Sequence, residues 1–167
     1  MDDLLASPQF GEHWARTWLD LARYADSDGY HADTARSMWQ YRDYVIRSFT
    51  ANKPFDQFTI EQLAGDLIPQ ASLSQKVATG FQRCHLLNGE GGAIAEEQRN
   101  IILFDRVDVT ATNWLGLTLA CAQCHDHPFD KWTQKQFYEM AAFTHNMNGT
   151  SYQSKSNTEA LKMIRSL

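Results

Sequence analysis

Ile94-Ala-Glu-Glu-Gln-Arg-Asn-Ile-Ile-Leu-Phe-Asp-Arg-Val-Asp-Val-Thr-Ala-Thr-Asn-Trp-Leu-Gly-Leu-Thr-Leu-Ala120 carries its bulky side chains at helical intervals. Phe104, Val107, Ala111, Trp114 and Thr118 fall on one face of a helix, and strict two-residue alternation is absent. The spacing predicts the longest helix of the chain over residues 94 to 120. Val109, Thr110 and Thr112 weaken its middle, because β-branched side chains lose rotamer freedom against the preceding turn. A kink or break is expected there.

The same reading extends in both directions. Trp14, Trp18, Leu21 and Ala25 form one apolar stripe, and Met38, Tyr41, Val45 and Phe49 form another that ends before Asn52-Lys53-Pro54. Thr59-x-x-Gln62, Ser72-x-x-Gln75 and Thr133-x-x-Gln136 read as capping boxes, the reciprocal side-chain to main-chain bonds that start helices. Leu63/Leu67, Val77/Phe81 and Phe137/Met140/Ala141 follow them, and Pro69 stops the helix that Thr59 opens. Two loops stand out, Asp26 to Ala35 and Asn88 to Gly92. The fold expected is all-α, an irregular multi-helix domain with long loops over residues 1–147. Residues 148–167 are expected to be a polar tail or the start of a following segment.

Composition narrows the function classes. With 43% apolar and 12% aromatic residues in 167, the chain can build a real core and is not a disordered segment. A net charge of −5 without a long basic run argues against nucleic acid and anionic membrane surfaces as partners. The longest apolar stretch, Trp114 to Cys121, is too short to span a bilayer.

Just past the long helix stands Cys121-Ala-Gln-Cys-His-Asp-His127. Cys-x-x-Cys-His is the attachment motif for c-type haem. Thiols at i and i+3 share one face of a helical turn, spaced to add to the two vinyl groups of one porphyrin, and the next residue sets an imidazole over the iron as proximal ligand. With three Cys and six His in the chain, chance yields such a match roughly two times in a thousand. Cys121, Cys124 and His125 are therefore the candidate sites for a covalent haem c, with His125 as iron ligand. A zinc site using Cys121, Cys124 and His125 or His127, or a pair of redox or structural thiols, is the competing reading. His127, Asp126 and Asp130 are expected to surround the ligand without binding iron. His127 would touch a propionate, and the two acids would accept an imidazole N–H or shape a solvated turn before Pro128. Cys84 is left over and needs no partner.

The distal ligand is open between His85, His31, His145, Met140 and Met38, and a five-coordinate iron is a further alternative. A straight helix over 94–120 would put its ends about 40 Å apart at 1.5 Å per residue, which sets His85 at the wrong end unless the Gly-rich loop folds back or the helix breaks. His145, at the close of the helix that Thr133 opens, is better placed. Glu90, Glu96 and Glu97 with His85 and Asp105 form a second polar cluster. Its plainer reading is first-turn acids facing the helix dipole, with Glu96 paired to Arg99, and its alternative is a hard-cation or acid–base site. Asp26, Asp28 and Asp33 lack the spacing of an EF-hand.

Trp114-Leu-Gly-Leu-Thr-Leu-Ala-Cys-Ala-Gln-Cys-His-Asp-His-Pro-Phe-Asp130 resembles the planctomycete-type cytochrome c-like domain of otherwise unknown function. Trp18-Leu-Asp-Leu-Ala-Arg-Tyr-Ala-Asp26, Tyr41-Arg-Asp-Tyr-Val-Ile46, Gln62-Leu-Ala-Gly-Asp66 and Asn88-Gly-Glu-Gly-Gly-Ala-Ile-Ala-Glu-Glu97 resemble the same family in the same order. Together they cover roughly residues 4 to 146. The resemblance implies an extracytoplasmic, periplasmic setting inside a longer exported protein. Leu4-Leu-Ala-Ser-Pro8 resembles a mid-domain start, and Met1-Asp-Asp3 has none of the marks of an export signal. The partner implied is a redox protein or an adjacent domain of the same chain. The role expected is that of an electron-transfer module more than a stand-alone enzyme. An enzymatic or ligand-binding haem and a haem-free, metal-stapled scaffold are the alternatives.

Overall fold

The computed structural model describes residues 2–145 and 147, so the expected tail from 148 onward lies outside the described residues. Seven α-helices and no strand occur among the described residues, and the single β-bridge joins Ser27 to Ala35. The chain is all-α, as the periodicity predicts. It divides into two compact units. One comprises the residues up to Asp28 with Asp33–Cys84, and the other Gly29–Ala32 with the residues from His85.

The first unit holds α1 (Asp2–Leu5), α2 (Pro8–Leu21), α3 (Trp39–Thr50), α4 (Phe55–Ala64) and α5 (Leu73–Ala78). Pro8 opens α2 where its missing N–H costs nothing. The helix buries Gly11, Ala15, Trp18 and Leu19, whereas Trp14 and Leu21 are exposed. Of the expected stripe Trp14, Trp18, Leu21 and Ala25, Trp18 lies on the buried face, whereas Trp14 and Leu21 fall one position out of phase with the buried Ala15 and Ala22. Gly11 sets that phase. A Cβ there would lie 2.0 Å from Thr50 Oγ1 and 2.9 Å from the Ile46 carbonyl, so only glycine lets α2 approach α3 this closely.

The expected start at Thr59 is corrected by α4, which begins at Phe55 after Pro54. Thr59 lies inside the helix, its hydroxyl bonded back to the Phe55 carbonyl at 2.8 Å. Gln62 is fully buried, its Oε1 accepting from Trp18 Nε1 at 2.9 Å and from the Tyr41 hydroxyl at 2.6 Å. Next to it the buried Glu61 carboxylate accepts from the Tyr44 hydroxyl at 2.8 Å and pairs with Lys53. Phe58 packs between the two networks, 4.9 Å from the Trp18 ring and stacked on Tyr44 at 6.0 Å.

The second unit is built on α6 (Ala95–Thr110) and α7 (Gln134–Thr144). The long helix breaks where the β-branched residues stand. After Thr110 one π-helical turn covers Ala111–Leu115, and Gly116 ends it in the left-handed region at φ +64°. A 3₁₀ turn over Leu119–Gln123 follows. One core unites these pieces: Leu103, Val107 and Ala111 from α6 and the π turn, Leu119 and Ala122 from the 3₁₀ turn, and Phe137 and Ala141 from α7. Burial of each large side chain here contributes about 1.5–3 kcal/mol. Ser72/Gln75 and Thr133/Gln136 form complete capping boxes at the starts of α5 and α7.

Candidate functional site

The Cys-x-x-Cys-His segment occupies the 3₁₀ turn and the first residues beyond it. Its inner face is apolar: Leu119 and Ala122 are fully buried in the α6–α7 core. Burying these two turns the intervening and following side chains outward. Cys121 and Cys124 are consequently exposed thiols on one turn, the Cys124 N–H meeting the Cys121 carbonyl at 3.4 Å. His125 is exposed beside them.

The His125 ring is not loosely tethered. Its Nδ1 lies 2.7 Å from the Asp126 main-chain carbonyl. A carbonyl only accepts, so Nδ1 carries a proton, and in the neutral ring the lone pair is on Nε2. His125 makes no other hydrogen bond among the described residues. Sequence reasoning offered the carboxylates of Asp126 and Asp130 as acceptors for this N–H, whereas the main-chain carbonyl takes it. The Asp126 carboxylate instead accepts the first N–H of α7, from Gln134, at 2.8 Å.

His127 is the scaffold of the loop that follows. Its side chain is only 6% exposed. Nδ1 accepts the Asp130 N–H at 2.9 Å and the Phe129 N–H at 3.3 Å, while the His127 main-chain N–H donates to the Trp132 carbonyl at 2.7 Å. These bonds fold Pro128-Phe129-Asp130 into a tight turn that leaves Phe129 92% exposed. The Asp130 carboxylate stands 3.4 Å from the same imidazole.

The structure moves His85 from where a straight helix would have left it. The loop 86–94 folds back, and the buried His85 ring lies against α6 with Nε2 3.3 Å from Arg106 Nη2 and Nδ1 3.0 Å from the Leu86 carbonyl. Arg106 sits five residues before the π turn, about 7.5 Å along the helix. Both ring nitrogens of His85 are therefore engaged. His145, at the C-terminal cap of α7, has its ring 2.9 Å from the Arg99 guanidinium. Met140 packs against the core beneath the motif, Met38 is buried in the first unit, and His31 is exposed with its main-chain N–H on Glu90.

The acidic cluster takes its plainer form. Glu96 pairs with Arg99 at 3.2 Å, and Glu90 binds the His31 N–H at 2.9 Å. Among the described residues no three His, Cys, Asp or Glu side chains gather as a group able to hold a metal ion. Cys84 is buried, and burial pushes its thiol from 9.0 up to about 12 against the opposing pull of Arg36 and Arg83. It is chemically set apart from the two exposed cysteines.

The donor set can be tested against a haem. Two exposed thiols one turn apart meet the requirement for two thioethers, and an imidazole whose Nδ1 is tied to a carbonyl presents Nε2 to a metal. The residues fit that group. The Cys-x-x-Cys-His turn is a solvent-facing segment of the second helical unit. The chain belongs to the PSCyt2 family, described as protein of unknown function (DUF1549), which it matches over residues 1–149. No curated protein and no solved structure matches it.

Proposed function

We propose that this domain holds one covalent c-type haem and serves electron transfer within a longer exported protein, in an extracytoplasmic compartment. One observation carries the reading: the His125 Nδ1–H is committed to the Asp126 carbonyl at 2.7 Å, beside two exposed thiols, so that Nε2 is the nitrogen left to ligate. Cys121 and Cys124 would each add their S–H across a vinyl group, and His125 would hold the iron. Once bound, the haem would supply a centre that cycles between Fe(III) and Fe(II), its potential set by the sixth ligand and by burial. The protein's contribution is to fix the turn that presents these three side chains.

A second reading draws on the histidines. His85 and His145 both have their rings engaged by arginines, which favours an iron whose sixth position stays open to a small ligand. The absorption spectrum of protein exported alongside haem-maturation machinery tests both. A low-spin spectrum insensitive to carbon monoxide supports electron transfer. A high-spin spectrum that shifts with carbon monoxide supports the open site. A protein without a Soret band, beside a control cytochrome that matures normally, overturns the haem reading.

A further inference from the structure

Gln134 makes two hydrogen bonds that bracket Cys124-His125. Its main-chain N–H donates to the Asp126 carboxylate at 2.8 Å, and its side-chain Nε2 donates to the Gln123 carbonyl at 2.9 Å. The Tyr138 hydroxyl, one helical turn further along α7, donates to that same Gln123 carbonyl at 3.1 Å. Gln123 is the last residue of the 3₁₀ turn and Asp126 supplies the carbonyl that holds the His125 ring. The first turns of α7 thus grip the chain on both sides of the imidazole. The capping box of Thr133 and Gln136 fixes the start of α7, and Phe137 and Ala141 anchor its other face in the core.

We propose that the Gln134 side chain, seconded by Tyr138, is a positioning group for His125: by holding the Gln123 carbonyl to α7, beside the main-chain bond from residue 134 to the Asp126 carboxylate, it fixes both the place and the tautomer of the ligand imidazole. This rests on the haem reading for its purpose, but its geometry belongs to the haem-free protein as well. Without the two side-chain bonds to Gln123, residues 123–126 are held to α7 on one side of the imidazole only, so the peptide that carries the Asp126 carbonyl can rotate and Nδ1–H loses its partner. The imidazole then drifts toward the Nε2–H tautomer that free histidine favours, which has no lone pair to offer at Nε2.

The test uses Gln134→Met, which keeps shape, removes the side-chain donor to Gln123 and leaves the main-chain N–H on Asp126, Tyr138→Phe, which removes the hydroxyl and keeps the ring, and the two combined. In haem-free protein, nitrogen-15 NMR of His125 is expected to show the Nδ1–H form in the wild type and in Tyr138→Phe. In the double variant it should show a marked gain of Nε2–H, with helix content unchanged. If the double variant loses its helix content, Gln134→Met alone carries the test. An unchanged His125 tautomer in a folded variant that lacks the Gln134 donor overturns the clamp. In haem-loaded protein the cyanide affinity of ferric iron should shift about twofold or more in the double variant, beyond the sum of the single effects. Equal affinities in all four proteins would overturn the clamp, whereas a wild type that never takes up haem overturns the haem reading and leaves the tautomer result to judge the clamp.

Discussion

Phe137 and Phe129 are one residue type within a few positions of the same helix start, and the structure assigns them opposite energetic roles. Phe137 is fully buried beneath the motif turn, its ring 5.5 Å from Phe104 and 5.4 Å from Tyr138. Replacing it with alanine removes the burial of a whole ring and opens a cavity between α6, α7 and the 3₁₀ turn, at a cost of about 3–5 kcal/mol. Set against a total domain stability of about 5–15 kcal/mol, that is a large share. Phe129 is 92% exposed, so its truncation should stay within about 0.5 kcal/mol. Urea titrations followed by circular dichroism read both. With a slope of about 1–3 kcal/mol per molar, Phe137→Ala should lower the midpoint by at least about 1 M, whereas Phe129→Ala leaves it nearly fixed. A Phe129→Ala variant as unstable as Phe137→Ala would refute the assignment of core and surface around the motif. So would a Phe137→Ala cost below about 1 kcal/mol, since a fully buried ring has no such cheap truncation.

Iodoacetamide at neutral pH should modify two thiols of the folded, haem-free protein. Peptide mapping should place both labels on Cys121 and Cys124, because Cys84 is buried with its thiol held neutral. The Cys84 thiol is raised from 9.0 to about 12 in the folded state. The unfolded chain therefore releases that proton first as pH rises. The stabilisation is whole below about pH 9 and is lost as pH climbs toward about 12, so melting temperature should fall across that window less steeply in Cys84→Ala. Gln62→Leu should cost about 1–3 kcal/mol, read by thermal unfolding, because it takes from the buried Tyr41 hydroxyl its Gln62 acceptor. A neutral outcome would mean that the Trp18–Tyr41–Gln62 network adds nothing to the first unit.

Much of the fold was legible because it rests on local rules. Ser72/Gln75 and Thr133/Gln136 close as capping boxes since Ser72 and Thr133 are themselves in extended conformation. The same spelling at Thr59/Gln62 falls inside α4, where Pro54 had already supplied the start and Gln62 was needed as a buried acceptor. Composition alone cannot separate those two uses. The phase of α2 was missed for a related reason. Trp14 outweighs Gly11 in any count of hydrophobicity, yet the contact with α3 is set by the residue with no side chain.

At the site, spacing alone singled out Cys121, Cys124 and His125 as candidates, and the run of β-branched residues pointed to the helix break before them. The roles of their neighbours were not legible. The His127 ring serves as an acceptor for main-chain N–H groups, Asp126 as an acceptor for α7, and Gln134 and Tyr138 as donors to Gln123. These depend on how a later helix docks, which no local pattern encodes. The fold-back that carries His85 to Arg106 is of the same kind. Asn88-Gly89-Glu90-Gly91-Gly92 announces a loop without saying where it leads. The sequence gives one partial signal, since a Gln at the first position of a capped helix soon after the motif could have been flagged as a donor.

The most direct test of the central claim is a denaturing pyridine haemochrome assay on protein exported to a periplasm with haem-maturation machinery. It would be run beside the Cys121→Ala/Cys124→Ala double variant. The account predicts one c-type haem per chain that survives denaturation in the wild type and is absent from the variant. A wild-type chain with no covalent haem, while a control cytochrome in the same cells is fully loaded, would contradict it.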